Sequence, residues 1–206
     1  MALKLKQPGP NIIGAFSQGL TESPDLGESF VPNSAYHLPS YTLSLKDLNN
    51  LPNSQGIDSI ARLVAWQCVA ISEDQQHLAV GEVTTLHKAP RPSDHVFDGP
   101  VRMTCLSHGE ILNNAYTKAK DLHDRQPQLT EQYKCDGDFE PRVLRIPGLL
   151  ITAFWLKSDA QGKQDWVVPL HTKIDDLTAK EVYGMDEFVT IIKRAAADCL
   201  ASPIFD

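Results

Sequence analysis

The residue pattern predicts an α+β protein with a mostly antiparallel sheet built from two hairpins, at about 61–86 and 142–169. Two main helices, at about 108–126 and 185–201, and an extended N-terminal arm complete the expected fold. Three observations carry this. Stretches around Tyr41, Trp66 and Trp155 either alternate apolar with polar residues or run apolar throughout, as strands do. Phe188, Ile191, Ile192, Ala195, Ala196 and Cys199 recur at helical spacing. Proline and glycine crowd the first 39 residues, where neither period is sustained.

Composition supports a folded chain. With 206 residues, about 70% of the unfolded surface is removable from water, enough for a sizeable core without disulfides or metal. Hydrophobic residues at 42% and charged residues at 22% match ordinary globular proteins and not disordered ones.

Residues 1–39 read as an extended Pro/Gly-rich arm, distinct from an α+β domain over 40–206. Pro8, Pro10, Pro24, Pro32 and Pro39 stand among Gly9, Gly14, Gly19 and Gly27. Ile12, Ile13, Phe16, Phe30 and Val31 make the arm too apolar for an inert linker. It is expected to lie along the domain or along a partner.

Tyr41, Leu43 and Leu45 alternate with Thr42 and Ser44, giving a short first strand closed by Pro52, Asn53, Ser54 and Gly56. The run Ile57–Ser72 fits two descriptions. Ile57, Ile60, Ala61, Val64, Ala65, Cys68 and Ile71 suit an amphipathic helix, whereas Leu63, Val64, Trp66, Val69 and Ile71 are strand formers ahead of a polar turn at Glu73–Gln76. A hairpin returning through Val80, Val83, Thr84 and Thr85 is preferred, with Gly81 marking a bulge.

Pro90, Pro92 and Pro100 make the following stretch a loop. Ser107 and Glu110 then have capping-box spacing, so a helix with Ile111, Leu112, Ala115, Ala119 and Leu122 on its apolar face is expected to run to Pro127. Residues 142–156 are the most apolar stretch, interrupted by Pro147 and Gly148. A polar turn at Asp159–Lys163 and a return strand at Trp166–Val168 complete the second hairpin. Asp186 and Glu187 at the start of the last helix complement its dipole.

Several functions are disfavoured. The formal charge of −7 and the scattered Lys and Arg residues argue against nucleic acid, whose binding draws on clustered basic side chains. No run approaches the 18 or so apolar residues of a membrane helix. Four cysteines without a C-x-x-C pair suit reduced thiols, so a cytoplasmic setting is expected, and the size and style of the chain suggest a bacterial one. His108 and Glu110 reproduce half of a zinc-deaminase motif whose cysteine half is missing. The histidines show no metal-ligand spacing, and neither a dinucleotide nor a phosphate loop occurs, so no metal and no cofactor is expected. Trp66, Trp155 and Trp166 are expected to cover a sheet.

The favoured expectation is a non-catalytic interaction or assembly component. It would bind another protein, or a second copy of itself, through Ile12, Ile13, Phe16, Phe30 and Val31. Removing 1–39 should then abolish association and leave the circular dichroism unchanged. The alternative is a small hydrolase with its site between the loop at 87–98 and the acidic loop at 135–140. Cys135, His95, Asp98 and Asp138 are its candidate catalytic residues, because long loops on a rigid scaffold commonly carry function and Cys135 is the cysteine least embedded in an apolar pattern.

Overall fold

A computed structural model describes residues 2–3, 5–23, 30–52, 55–72, 78–85, 100–108, 138–159 and 163–201. Among them the chain has α+β character, with a nine-stranded, mostly antiparallel sheet. The strands are β1 (Ala2–Leu3), β2 (Phe30–Thr42), β3 (Arg62–Ser72), β4 (Leu78–Thr85), β5 (Val101–His108), β6 (Asp138–Ile146), β7 (Ile151–Ser158), β8 (Trp166–His171) and β9 (Tyr183–Gly184). Three α-helices accompany them: α1 (Pro10–Thr21), α2 (Leu45–Asn50) and α3 (Met185–Ala201).

The sheet order is β5-β4-β3-β2-β6-β7-β8-β9. Its two antiparallel halves are joined by a parallel pairing of β2 with β6, through Ser40 with Val143, Tyr41 with Leu144 and Thr42 with Arg145. β1 runs parallel to the start of β6, pairing Ala2 with Asp138 and Leu3 with Phe139.

Where an extended arm is expected over 1–39, the described residues form a helix and most of a strand. Pro10 opens α1, where its missing N–H and fixed φ suit the first turn, and Ile12 and Phe16 are each 1% exposed against the sheet. Ile13 is half-buried. Phe30 and Val31 belong to β2, paired with Ser72 and Ile71 of β3. A chain lacking 1–39 therefore loses most of a strand at the sheet centre, so the deletion is expected to disrupt the fold as well as any association.

The run Ile57–Ser72 resolves into a 3-10 turn at Ile57–Ser59 followed by β3. β3 is covered on both faces, with Trp66, Cys68 and Ala70 buried on one and Ala65 and Val69 on the other. Burial on both faces produces the apolar run that mimics a helix. β3 and β4 pair antiparallel from Ala65 with Thr84 to Ile71 with Leu78.

Where one hairpin is expected over 142–169, the chain forms a three-stranded meander. The turn Pro147–Leu149, ending on Leu150 in the left-handed region at φ 52°, reverses β6 into β7, and β8 returns alongside β7. The proline and glycine that disfavour a continuous strand make a reversal. Ser107 and His108 lie in β5, which the capping-box spacing did not suggest; the rest of the helix expected at 108–126 lies outside the described residues. α3 spans the expected C-terminal helix, burying Met185, Phe188, Ile192 and Ala196 on one side.

Helices α1 and α3 contribute to the core on the same face of the sheet, with Tyr41, Trp66, Trp155 and Val167. Lys193 of α3 donates from Nζ to the Leu51 carbonyl at 2.8 Å, tying α3 to the end of α2. The other face holds a smaller apolar cluster of Leu38, Val143, Phe154 and Val168 on adjacent strands. On that face Arg145 of β6 pairs with Glu82 of β4 at 2.5 Å, spanning β2 and β3. Three strand spacings amount to about 14 Å, which these two long side chains bridge by lying across the sheet. By register the line between these side chains passes over Ser40 and Ala65, both small and both fully buried.

Candidate functional site

The densest chemistry lies on the helix-bearing face. Alternation along β6 places Glu140 and Arg142 on that side with Leu144 and Ile146. Antiparallel pairing sets Lys157 opposite Glu140 and Trp155 opposite Arg142. Tyr41 enters from β2 beside Leu144, its ring meeting that of Trp155 edge-on with centroids 5.6 Å apart.

Arg142 rests on these rings. Its guanidinium carbon lies 4.9 Å from the Tyr41 centroid and 4.6 Å from that of Trp155, and the side chain is 8% exposed. Aromatic faces attract a cation most where water is excluded. Nε donates to Glu140 Oε1 at 2.9 Å, which fixes the plane of the group. Among the described residues one other of its five N–H donors is met: Nη1 donates to Asp58 Oδ1 at 3.4 Å, well beyond the usual charge-assisted distance. Among the described residues no acceptor meets Nη2.

Asp58 comes from the 3-10 turn Ile57–Ser59, where buried Ile57 anchors the backbone while Asp58 keeps 46% of its side chain exposed. Its second oxygen accepts from Lys157 Nζ at 2.5 Å. One carboxylate thus bridges a buried guanidinium and a half-buried ammonium from two neighbouring strands. Burial alone would lower the Lys157 pKa; its contacts with Asp58 and Asp165 outweigh that and raise it above the ordinary 10.5. For Tyr41, burial raises the pKa from 10.0; Arg142 opposes this, and Glu140 and Asp58 add to it.

Asp165, just before β8, holds the cluster from below. Oδ2 accepts from Trp155 Nε1 at 2.9 Å and stands 3.2 Å from Lys157 Nζ, while Oδ1 accepts from the Ser158 backbone N–H at 2.9 Å. The indole plane supporting Arg142 is therefore itself oriented by a buried carboxylate.

His95, Asp98 and Cys135 lie outside the described residues, as does the loop at 87–98. Asp138 heads β6, its carbonyl accepting from Asp159 N at 3.2 Å, and the segment Asp138–Glu140 is strand instead of acidic loop. Among the described residues of that expected loop, Glu140 joins the cluster described above. Asp58, Arg142, Lys157 and Asp165 were not singled out by any motif; a usable signal was the pair Glu140 and Arg142, two charges at period-two positions entering the most apolar stretch.

A second pairing has the residue types of nucleophilic catalysis and the wrong environment. Cys68 lies opposite His37 in the β2–β3 ladder. Burial pushes the Cys68 thiol up to about 12 and holds His37 below its ordinary 6.5. Because thiolate is the reactive form, this thiol stays inert near neutral pH. His37 Nδ1 and Ser40 Oγ are both buried without a hydrogen-bond partner. Among the described residues, no three His, Cys, Asp or Glu side chains are grouped to hold a metal ion, and no helix is long and apolar enough to cross a membrane.

No family model, curated protein or solved structure matches this chain.

Proposed function

We propose that this chain is a non-catalytic interaction component that grips a carboxylate of another protein at Arg142 and Lys157. The observation that carries the reading is the state of the guanidinium: stacked on Tyr41 and Trp155, oriented by Glu140, and met on its outer edge by one long contact. A planar fork held this way suits two parallel N–H···O bonds to an incoming carboxylate, and the neighbouring ammonium adds charge. Stacking and Glu140 hold the group in place beforehand, which lowers the ordering cost of binding.

The reading keeps the protein partner expected from the sequence and moves its contact from the N-terminal segment to the sheet. Ile12 and Phe16 serve the core, so they are poor candidates for a partner surface. The chain's formal charge of −7 favours a partner that is basic overall and presents a local acidic side chain or C-terminus.

Calorimetric titration of the full chain with glutarate, and with cadaverine as the cationic control, tests this. Saturable glutarate binding is expected, without cadaverine binding. Arg142→Lys keeps the charge and removes the fork, so it should weaken glutarate binding by about 1.5–3 kcal/mol, roughly ten- to hundredfold. Circular dichroism of Arg142→Lys should match the wild type. Equal glutarate affinity in a folded Arg142→Lys, or an unsaturable wild-type titration, would overturn the reading.

A further inference from the structure

We infer that Asp58 is a built-in occupant of the carboxylate site and that a partner's carboxylate binds by displacing it. The inference rests on the binding reading above and adds its regulation.

Asp58 does from within the chain what a ligand would do from outside. Its two oxygens divide between Arg142 Nη1 and Lys157 Nζ, side chains that lie 84 and 99 residues away in sequence. The other two carboxylates of the cluster have further partners: Glu140 holds Arg142 Nε, and Asp165 accepts from Trp155 Nε1 and the Ser158 N–H while standing 3.2 Å from Lys157 Nζ. Three carboxylates thus share two cations, and an incoming carboxylate takes the contacts of Asp58 as that side chain turns into solvent, where water screens its charge.

The fit of Asp58 is also unequal. It is short to Lys157 at 2.5 Å and long to Arg142 at 3.4 Å, so the fork lacks a two-oxygen partner. A ligand carboxylate is not tied to that turn, so it can orient toward both Nη groups, whereas Asp58 reaches Nη1 alone among the described contacts. Leaving requires little of the fold. Ile57 is buried and the Ser59 and Ile60 N–H groups hold the turn, so rotation of the half-exposed Asp58 side chain releases the site. Exposed side chains change rotamer in picoseconds to nanoseconds, so Asp58 sets affinity through its equilibrium occupancy and not through a slow gate.

The test compares wild type with Asp58→Ala and Asp58→Asn, titrating each full-length protein with glutarate and with inorganic phosphate. Removing the occupant should raise glutarate affinity by roughly five- to hundredfold in Asp58→Ala, the range of an ordinary coupling between competing contacts. Asp58→Asn should gain as well, since it keeps the shape and loses the charge. Equal glutarate affinity in wild type and both variants would leave the binding reading standing and overturn the role of Asp58. Absence of glutarate binding in all three proteins would overturn the binding reading itself. Phosphate binding more tightly than glutarate in Asp58→Ala would overturn the assignment of a carboxylate as the ligand. Because Asp58 meets the buried Arg142 and raises the Lys157 pKa, a modestly lower urea midpoint is expected for both variants, and affinities are compared on proteins with wild-type circular dichroism.

Discussion

Trp155 Nε1 donates to Asp165 Oδ2 at 2.9 Å, and that one bond holds the ring on which Arg142 rests. Trp155 is fully buried, and Asp165 is buried beside it. Trp155→Phe keeps an aromatic face and removes the donor, leaving a buried carboxylate oxygen with Lys157 alone. We expect a loss of about 1–3 kcal/mol, read as a lower urea midpoint at unchanged slope. An unchanged midpoint would mean that Lys157 and water compensate fully.

Two glycines give opposite signs at opposite sides of α1. A Cβ on Gly81 would stand 2.6 Å from Phe16 Cε2, so Gly81→Ala should push α1 off the sheet and cost about 1–3 kcal/mol. A Cβ on Gly14 meets nothing within 4 Å on the exposed side of the helix, so Gly14→Ala should stabilise by about 0.5–1 kcal/mol. Thermal or urea melts of both variants check this. An extended arm at 1–39 predicts near-neutral results at both positions.

These substitutions also mark where the sequence was legible. The period of Phe188, Ile192 and Ala196 identified α3, because a helix with one buried side repeats cleanly. α1 was hidden because its breakers sit where a helix tolerates them: Pro10 in the first turn, Gly14 facing solvent, and Gly19 against Met103. β3 was ambiguous because both its faces are buried, which erases the alternation that distinguishes a strand. The Arg142 cluster was less legible still. Asp58 sits in a turn, Asp165 precedes a strand, and only cross-strand register brings them to Lys157 and Trp155. No local motif encodes that meeting.

Acid should expose His37. Burial holds its pKa below 6.5, so the folded state prefers the neutral ring more than the unfolded chain does. The unfolded state then binds more protons below about pH 6.5, and stability declines as pH falls from there through the lower folded pKa. His37→Gln does not titrate in this window. The stability difference between variant and wild type should shift in favour of the variant from pH 7 to pH 5, measured by urea unfolding at each pH. A constant difference would show that His37 titrates normally.

Base should loosen the cluster. Lys157 and Tyr41 both have raised folded pKa values, so their contributions are full below the unfolded values, near 10.5 and 10.0, and are lost as pH rises through the folded ones. Lys157→Met should show a shallower alkaline loss of stability above pH 10 than the wild type. A parallel loss in both proteins would place the alkaline sensitivity elsewhere.

Nitrogen-proton correlation spectra of the tryptophan side chains locate the carboxylate proposed to bind at Arg142. The chain has three tryptophans, and only the Trp155 ring carries the Arg142 guanidinium among the described contacts. On titration with glutarate, the Trp155 Nε1–H resonance should move furthest and saturate at the calorimetric midpoint, with Trp66 nearly still. Saturable binding that leaves Trp155 in place while Trp66 or Trp166 shifts would put the bound carboxylate away from Arg142 and overturn the proposed site.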